Sequence, residues 1–179
     1  MTRVISVFGG STPRPGMPSY DSAYAVGKFL VESGYAVATG GYSGTMLAVS
    51  QGAAEAGGHV IGVTSAQIER FRPLGPNQFV AEEIKYESLR ERLLHLVTDN
   101  DGMIVLPGGI GTLSEAALAW SFLQTGEITP RPLVLLGAIW RTTLEAFITP
   151  DYIHPDHSAL LNYALTPEEA VSLVRAAHA

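Results

Sequence analysis

The chain has 179 residues, which suits one domain, and 46% of them are hydrophobic, enough apolar material for a complete core. Its net charge of −6 argues against nucleic-acid binding, because a phosphate backbone is held by a basic surface. The absence of cysteine excludes disulfides, thiolate zinc sites and a cysteine nucleophile.

Apolar segments with strand character alternate along the chain with segments of helical spacing. The chain begins directly with a strand-like segment rather than a signal peptide, and no apolar run reaches the length of a membrane span. The predicted strands are Val4–Phe8, Tyr35–Thr39, His59–Val63, Gly102–Leu106 and Leu133–Leu136. The predicted helices are Ser19–Glu32, Gly44–Ala56, Ile84–Val97 and Thr112–Leu123, with an irregular stretch over Thr64–Phe79 and a helical remainder whose last helix begins at Thr166.

This alternation of short, doubly apolar strands with helices predicts a parallel sheet covered on both faces. We therefore expect an α/β protein with one doubly wound, Rossmann-like sheet, forming a single nucleotide-binding domain over residues 1–179. We expect it to be cytoplasmic, with no membrane partner and no nucleic-acid partner.

Three of the predicted strands end in a glycine pair, namely Gly9-Gly10, Gly40-Gly41 and Gly108-Gly109. With a strand order of 3-2-1-4-5, the first and fourth strands flank the crevice in which such sheets bind ligands. Glycine is also an ordinary turn residue, so one pair alone would carry little weight. Three pairs at the same edge of one sheet predict a binding site, and Ser11 lies just past the first strand at this edge.

The strongest functional segment runs from Met103 to Glu115, where a buried strand leads through glycines into a helix that begins near Thr112. Free backbone N–H groups and the helix dipole attract anions at such a start. Missing side chains let a phosphate approach the backbone, and the threonine hydroxyl adds a donor. The predicted phosphate-binding residues are Gly108, Gly109, Ile110, Gly111 and Thr112.

Two familiar nucleotide motifs do not fit these turns. A P-loop requires a lysine after its last glycine, and none follows here. The dinucleotide fingerprint requires Gly-x-Gly-x-x-Gly after the first strand, where Pro13 disrupts the turn. It also requires an acidic residue after the second strand, which instead ends Thr39-Gly40-Gly41. A nicotinamide cofactor is therefore not expected.

The segment Pro107-Gly-Gly-Ile-Gly-Thr-Leu-Ser-Glu115 matches Pro-Gly-Gly-x-Gly-Thr-x-x-Glu over nine positions. This pattern resembles the LOG family of cytokinin-activating nucleoside 5′-monophosphate phosphoribohydrolases, whose members are often mislabelled lysine decarboxylases. The resemblance extends to Val7-Phe-Gly-Gly10-Ser11, to the second glycine turn Thr39-Gly40-Gly41-Tyr-Ser-Gly44, and to Gly57–Val63. It implies that Gly10, Ser11, Gly40, Gly41 and Gly44 also contact the nucleotide.

The family has a second signature, Met-x-x-Arg-Lys, on the helix before the fourth strand. This chain has Leu89-Arg-Glu-Arg92-Leu93 there, so Arg92 falls on the family's catalytic arginine while its lysine is replaced by Leu93. Ser114 replaces the acid that often precedes the catalytic glutamate. These departures place the chain in a divergent branch that keeps the catalytic pair, Arg92 and Glu115.

The resemblance implies hydrolysis of the bond between a base and ribose 5-phosphate, with cytokinin riboside monophosphate or AMP-like substrates and no cofactor or metal. Glu115 would stabilise the oxocarbenium-like transition state and orient water, and Arg92 would hold the phosphate, ribose or departing base. Taken without the resemblance, Glu115 could be an early-helix acid and Arg92 a solvated surface residue. A homodimer is also implied, with an apolar base pocket supplied by Leu93, Leu96, Trp120 and Phe122.

Two other functions are compared with this one. A carrier that holds a nucleotide or a molybdenum-cofactor-like ligand without cleaving it could use the same scaffold. A lysine decarboxylase has no support, because only Lys28 and Lys85 are present and neither lies in a pyridoxal-lysine context. The segment His154-Pro-Asp-His157 is interpreted as a polar surface loop rather than a metal site.

Overall fold

The computed structural model describes residues 2–179, in which seven strands and eight helices are found. The strands are β1 (Val4–Phe8), β2 (Ala36–Thr39), β3 (Val60–Ser65), β4 (Glu82–Tyr86), β5 (Gly102–Val105), β6 (Leu133–Leu136) and β7 (Leu161–Ala164). The helices are α1 (Pro18–Glu32), α2 (Thr45–Glu55), α3 (Ala66–Phe71), α4 (Leu89–Thr98), α5 (Ile110–Thr125), α6 (Ala138–Phe147), α7 (Pro155–Ser158) and α8 (Pro167–Ala177).

The seven strands form one sheet in the order β4-β3-β2-β1-β5-β6-β7, and every neighbouring pair is parallel. The doubly wound, Rossmann-like sheet predicted from the sequence is therefore confirmed. The central five strands also have the predicted order, with β1 and β5 side by side. The chain winds outward in opposite directions from this pair, which makes its carboxyl end the expected ligand crevice.

Successive residues of the central strands pack against opposite helical layers, because side chains alternate across a strand. On β5, Ile104 packs in the core beneath α1, α2 and α8, whereas Met103 and Val105 pack beneath α4, α5 and α6. All three are fully buried. This double burial is why the strands are continuously apolar instead of alternating with polar residues.

The sequence-based prediction of a helix from Ile84 is wrong at its start. Glu82–Tyr86 is β4, an edge strand whose exposed residues are charged and whose Ile84 and Tyr86 are half-buried. The true helix begins at Leu89, after a capping box in which Ser88 Oγ accepts from the N–H of Glu91 and the Glu91 carboxylate accepts from the N–H of Ser88.

Two further segments differ from the expectation. The stretch predicted as irregular contains the short helix α3, capped by Ser65, whose Oγ accepts from the N–H of Ile68. The C-terminal remainder, predicted to be helical, contains the edge strand β7. Both elements are short, and β7 forms only by pairing with β6, a long-range contact that local spacing does not reveal. The last helix begins as predicted, with Thr166 Oγ1 accepting from the N–H of Glu169.

Candidate functional site

The glycine turns that follow β1 and β5 lie side by side. Phe8 is paired with Val105 at the ends of the two strands, so the segments that follow leave the sheet together. A Cβ on Gly10 would lie 3.4 Å from the Cα of Gly108, which shows how closely the two turns approach. The predicted crevice is therefore formed by the backbone of both turns.

The turn after β5 ends at Gly109, and helix α5 begins at Ile110. Within residues 2–179, no side chain caps this helix end, so its first N–H groups are available to a ligand. A Cβ built on Gly109 or Gly111 would meet no described atom within 4 Å. These two glycines thus leave open space in front of the helix start, which is the arrangement that an anion requires.

Two other glycines hold the turns together instead of facing open space. A Cβ on Gly108 would come within 2.1 Å of Thr112 Oγ1, and one on Gly44 within 2.3 Å of the Gly10 carbonyl oxygen. Gly44 also has a φ of 72°, a conformation that side chains disfavour. The same Gly10 carbonyl accepts hydrogen bonds from the N–H and the hydroxyl of Thr45, at 2.9 and 3.0 Å.

Arg92 and Glu115 form a buried ion pair. Arg92 Nη1 donates to Glu115 Oε1 at 3.1 Å, and each side chain is only 9% exposed. Arg92 Nε donates to the Val63 carbonyl oxygen at 3.0 Å, which fixes the guanidinium at the end of β3. Helix α4 therefore contributes the cation and helix α5 the carboxylate, one turn beyond Thr112.

The environment of Glu115 acts on its pKa in two opposing ways. Burial raises the pKa of this carboxyl, and it outweighs the charge and hydrogen bond of Arg92, which lower the pKa. The net direction is upward from the ordinary value. A carboxyl held in this way suits proton transfer or transition-state stabilisation better than a solvated surface acid would.

The pair lies in the wall of a cavity of about 390 Å³, a size typical of small-molecule sites. Nine of the residues predicted for the site line this cavity: Gly10, Ser11, Gly40, Arg92, Gly109, Ile110, Gly111, Thr112 and Glu115. The other three, Gly41, Gly44 and Gly108, lie next to it in the turns that form its rim. The structure thus brings all three predicted turns to one cavity, while ligand contact by any of them stays a prediction.

The sequence analysis missed the apolar and cationic residues on the opposite wall. These come from the β2–α2 turn, from α3 with the loop behind it, and from the start of α4: Tyr42, Ser43, Met46, Ile68, Phe71, Arg72, Leu74 and Leu89. Half of them belong to the stretch that was predicted to be irregular. The Pro-rich, apolar composition of that loop was the available signal, but nothing in the sequence indicates which strand edge it covers.

One residue of the expected base pocket, Leu96, is wrong, while a contribution of the other three across a dimer stays a prediction. Leu96 is 1% exposed and lies in the core with Val97 and Met103, while Leu93, Trp120 and Phe122 pack against that core outside the described cavity lining. Trp120 Nε1 donates to the His157 carbonyl oxygen at 2.7 Å. The apolar wall of the cavity is instead formed by residues such as Met46 and Leu74.

Two of the replaced family positions, Leu93 and Ser114, are not among the described residues that line the cavity. Ser114 is exposed, and its hydroxyl donates to the Gly111 carbonyl oxygen at 2.8 Å. Leu93 is half-buried beside the core. In the described part of the chain, the two lysines are also remote from the cavity lining: Lys28 pairs with Glu32 on α1, and Lys85 with Glu69.

Two further observations concern other ligands. No cluster of three or more His, Asp or Glu side chains that could hold a metal ion is found among residues 2–179. His154 is exposed and caps the short helix α7, with Nδ1 accepting from the N–H of Asp156 at 3.3 Å.

No helix of the described residues is long and apolar enough to span a membrane.

The chain is similar in sequence to a known protein family and to named plant proteins. A family model described as "Possible lysine decarboxylase" matches residues 46–174. The chain is 32% identical over 184 residues to "Probable cytokinin riboside 5'-monophosphate phosphoribohydrolase LOGL6" of Oryza sativa subsp. japonica, covering 97% of this chain and 71% of that protein. It is 35% identical over 136 residues to "Cytokinin riboside 5'-monophosphate phosphoribohydrolase LOG" of the same plant, covering 75% and 55%.

Solved structures with the same fold include proteins of a different stated function. The molybdenum cofactor binding protein of Rippkaea orientalis superimposes with a TM-score of 0.79 at 25% identity, covering 100% of this chain and 99% of that one. The molybdenum cofactor carrier protein of Chlamydomonas reinhardtii gives 0.76 at 25% identity, covering 99% of each chain. Because the family model spans most of the chain and the sequence relatives agree with it, the chain belongs to the LOG family, whose model bears the description of a possible lysine decarboxylase.

Proposed function

We propose that this chain is a nucleoside 5′-monophosphate phosphoribohydrolase, which releases a free base and ribose 5-phosphate. The observation that carries the proposal is the buried Arg92–Glu115 pair, which lies one helical turn from the uncapped start of α5 in the same cavity. The names of the sequence relatives support the same activity, because they are phosphoribohydrolases of cytokinin riboside 5′-monophosphates.

The 5′-phosphate would lie against the free N–H groups of Ile110, Gly111 and Thr112, where the helix dipole favours negative charge. The space left by Gly109 and Gly111 allows its oxygens to reach those donors. Such backbone donors give the site its anion affinity although the chain as a whole is acidic. A phosphate placed here directs the attached ribose toward the interior of the cavity.

Glu115 would then face the anomeric carbon of that ribose. In the reaction, the bond from C1′ to the base nitrogen breaks with its electron pair going to the base, and a water oxygen bonds to C1′. The carboxylate stabilises the positive charge that develops on the sugar and accepts the proton of the attacking water. That proton passes to the departing base, so that a nucleotide and water give a base and ribose 5-phosphate.

Arg92 would serve this step in two ways. Its positive charge keeps the buried carboxyl more acidic than burial alone would allow, so that the ionised form is accessible. Its anchoring to the Val63 carbonyl holds both members of the pair in position before substrate arrives.

The experiment is to incubate the purified protein with AMP, GMP, CMP, UMP and isopentenyladenosine 5′-monophosphate and to separate free base and ribose 5-phosphate by chromatography. Release from at least one nucleotide is expected, and Glu115→Gln should lower its rate by a factor of about 10² or more. The matched control is Glu127→Gln, an exposed residue beyond α5. Wild-type turnover in Glu115→Gln would contradict the proposed role of this carboxylate.

A second candidate function is carriage of a phosphorylated cofactor without cleavage. It is favoured by the molybdenum cofactor proteins that superimpose over the whole chain at 25% identity. The same cavity would hold the phosphate of such a ligand at the α5 start. Stoichiometric retention of molybdenum cofactor through gel filtration, with no base released from any nucleotide, would select the carrier over the hydrolase.

A further inference from the structure

The cavity contains one cation that the reaction described above does not use. Its charged lining residues are Arg72, Arg92 and Glu115. Arg92 and Glu115 neutralise each other at 3.1 Å, which leaves Arg72 as the unbalanced charge of the described lining. None of the ion pairs found among residues 2–179 includes Arg72.

Arg72 reaches across the cavity to the turn that follows β1. It follows α3 directly in an extended conformation, and its Nη1 donates to Ser11 Oγ at a long 3.4 Å. Its guanidinium carbon lies 5.8 Å from the ring centre of the adjacent Phe71, an exposed side chain that also lines the cavity. Because the Ser11 turn lies beside the turn before α5, the guanidinium and the helix start line the same cavity.

The segment that carries Arg72 is tied to the second glycine turn at both ends. Before α3, Tyr42 Oη accepts from the N–H of Ser65 at 2.9 Å. After Arg72, the N–H of Asn77 donates to the Gly41 carbonyl at 2.7 Å, and Asn77 Nδ2 donates to the Gly41 and Tyr42 carbonyls. These bonds hold the segment over the cavity mouth, which reduces the conformational entropy that ligand binding would otherwise cost.

The weak bond to Ser11 makes Arg72 a ready donor for a ligand. A hydrogen bond of this length to a neutral hydroxyl is readily exchanged for a shorter one to a charged oxygen. The phosphate of a nucleoside monophosphate is a dianion, and the Glu115 carboxylate already adds negative charge to the cavity. An additional cation therefore favours binding. A planar guanidinium with several N–H donors suits two phosphate oxygens at once.

We infer that Arg72 is a phosphate-binding residue that holds the 5′-phosphate together with the α5 helix start, so that the anion is clamped between the two. This inference rests on the proposed function, since it names a further ligand contact in the same cavity. The clamp also gives the loop behind α3 a part in recognition of the phosphate rather than of the base.

The test uses Arg72→Gln and Arg72→Lys with Arg70→Gln as the matched control. Arg70 lies on α3, two residues before Arg72, but pairs with Glu87, 3.9 Å away, and is not among the described cavity-lining residues. Affinities are measured by isothermal titration for ribose 5-phosphate, which the proposed reaction produces, and for adenosine, which lacks the phosphate. Thermal unfolding of each variant confirms that it is folded.

Arg72→Gln should weaken ribose 5-phosphate binding about tenfold or more and leave adenosine binding unchanged. Arg72→Lys should keep part of the affinity, because the ammonium retains charge without the planar fork. Arg70→Gln should behave like the wild-type protein. Unchanged phosphate affinity in Arg72→Gln, or an equal loss for adenosine, would overturn the inference.

Failure of the proposed function would look different. If the wild-type protein binds the phosphate ligand through Arg72 but cleaves no nucleotide, the hydrolase proposal fails while the clamp is supported. If the wild-type protein cleaves AMP and Arg72→Gln does so with an unchanged KM, the clamp is overturned while the hydrolase stands.

Discussion

The guanidinium of Arg92 lies directly against the backbone of Gly40, so closely that a Cβ added there would fall 1.8 Å from Nη2. The second glycine turn thus provides the space that the catalytic candidate occupies. Met46 Sδ would lie 2.6 Å from the same Cβ, so a methyl group at position 40 would also collide with Met46. The ion pair needs a residue without a side chain at position 40, rather than a flexible turn.

Gly40→Ala should therefore impair the site by displacing the arginine. We expect the added methyl group to push the guanidinium away from Glu115 and to lower nucleotide hydrolysis about tenfold or more, because small misplacements of catalytic groups are costly. Steady-state kinetics on AMP measure the effect. The control is Gly75→Ala, where a Cβ meets no described atom within 4 Å. Equal activity in both variants would show that Arg92 need not be where the structure has it.

The ion pair also sets a pH dependence with a definite sign. The proposed reaction uses the ionised form of Glu115, so kcat/KM should fall as the pH decreases through the raised pKa of this carboxyl. Arg92→Gln removes the charge that lowers the pKa, and the acid limb should move to higher pH. The pKa can be followed without turnover from the carboxyl carbon resonance of Glu115 by NMR.

Arg90→Gln is the matched control for this titration, since Arg90 is exposed on the same helix α4. It should leave the pKa of Glu115 unchanged. If Glu115 titrated at an unchanged or lower pH in Arg92→Gln, the electrostatic coupling between the two residues would be refuted.

In the glycine turn before α5, where we propose that the phosphate binds, an alanine substitution should have opposite effects on stability and on binding. Gly111→Ala adds a methyl group to open space in the first turn of α5, and it should stabilise the fold by about 0.4–1 kcal/mol by restricting the unfolded chain. The same methyl group would occupy the proposed phosphate position, so affinity for ribose 5-phosphate should fall at least about tenfold. Urea unfolding and isothermal titration measure the two effects.

Gly44→Ala provides the contrast to that variant. Its φ of 72° and the 2.3 Å approach to the Gly10 carbonyl oxygen should make alanine destabilising by about 1–3 kcal/mol. If Gly111→Ala bound phosphate as well as the wild-type protein, the anion would have to lie elsewhere in the cavity.

The sequence by itself determined the central sheet and the glycine turn before α5. Both depend on local chemistry, since a strand buried on both faces must be continuously apolar and a helix start that faces a ligand needs glycine in place of side chains. Gly108–Thr112 and the spacing to Glu115 are therefore visible in the chain without coordinates. The capping box at Ser88 was equally local, and it would have placed the start of α4 correctly.

Only the tertiary structure decided which side chains complete the cavity. Arg92 meets Glu115 because β3 ends beneath it and Gly40 leaves room, and neither contact follows from sequence spacing. Arg72 reaches Ser11 across 61 positions of the chain, through a loop held by bonds to the Gly41 turn. The edge strands β4 and β7 are likewise defined by their pairing partners. Such long-range contacts are set by packing of the whole chain, which local propensity does not encode.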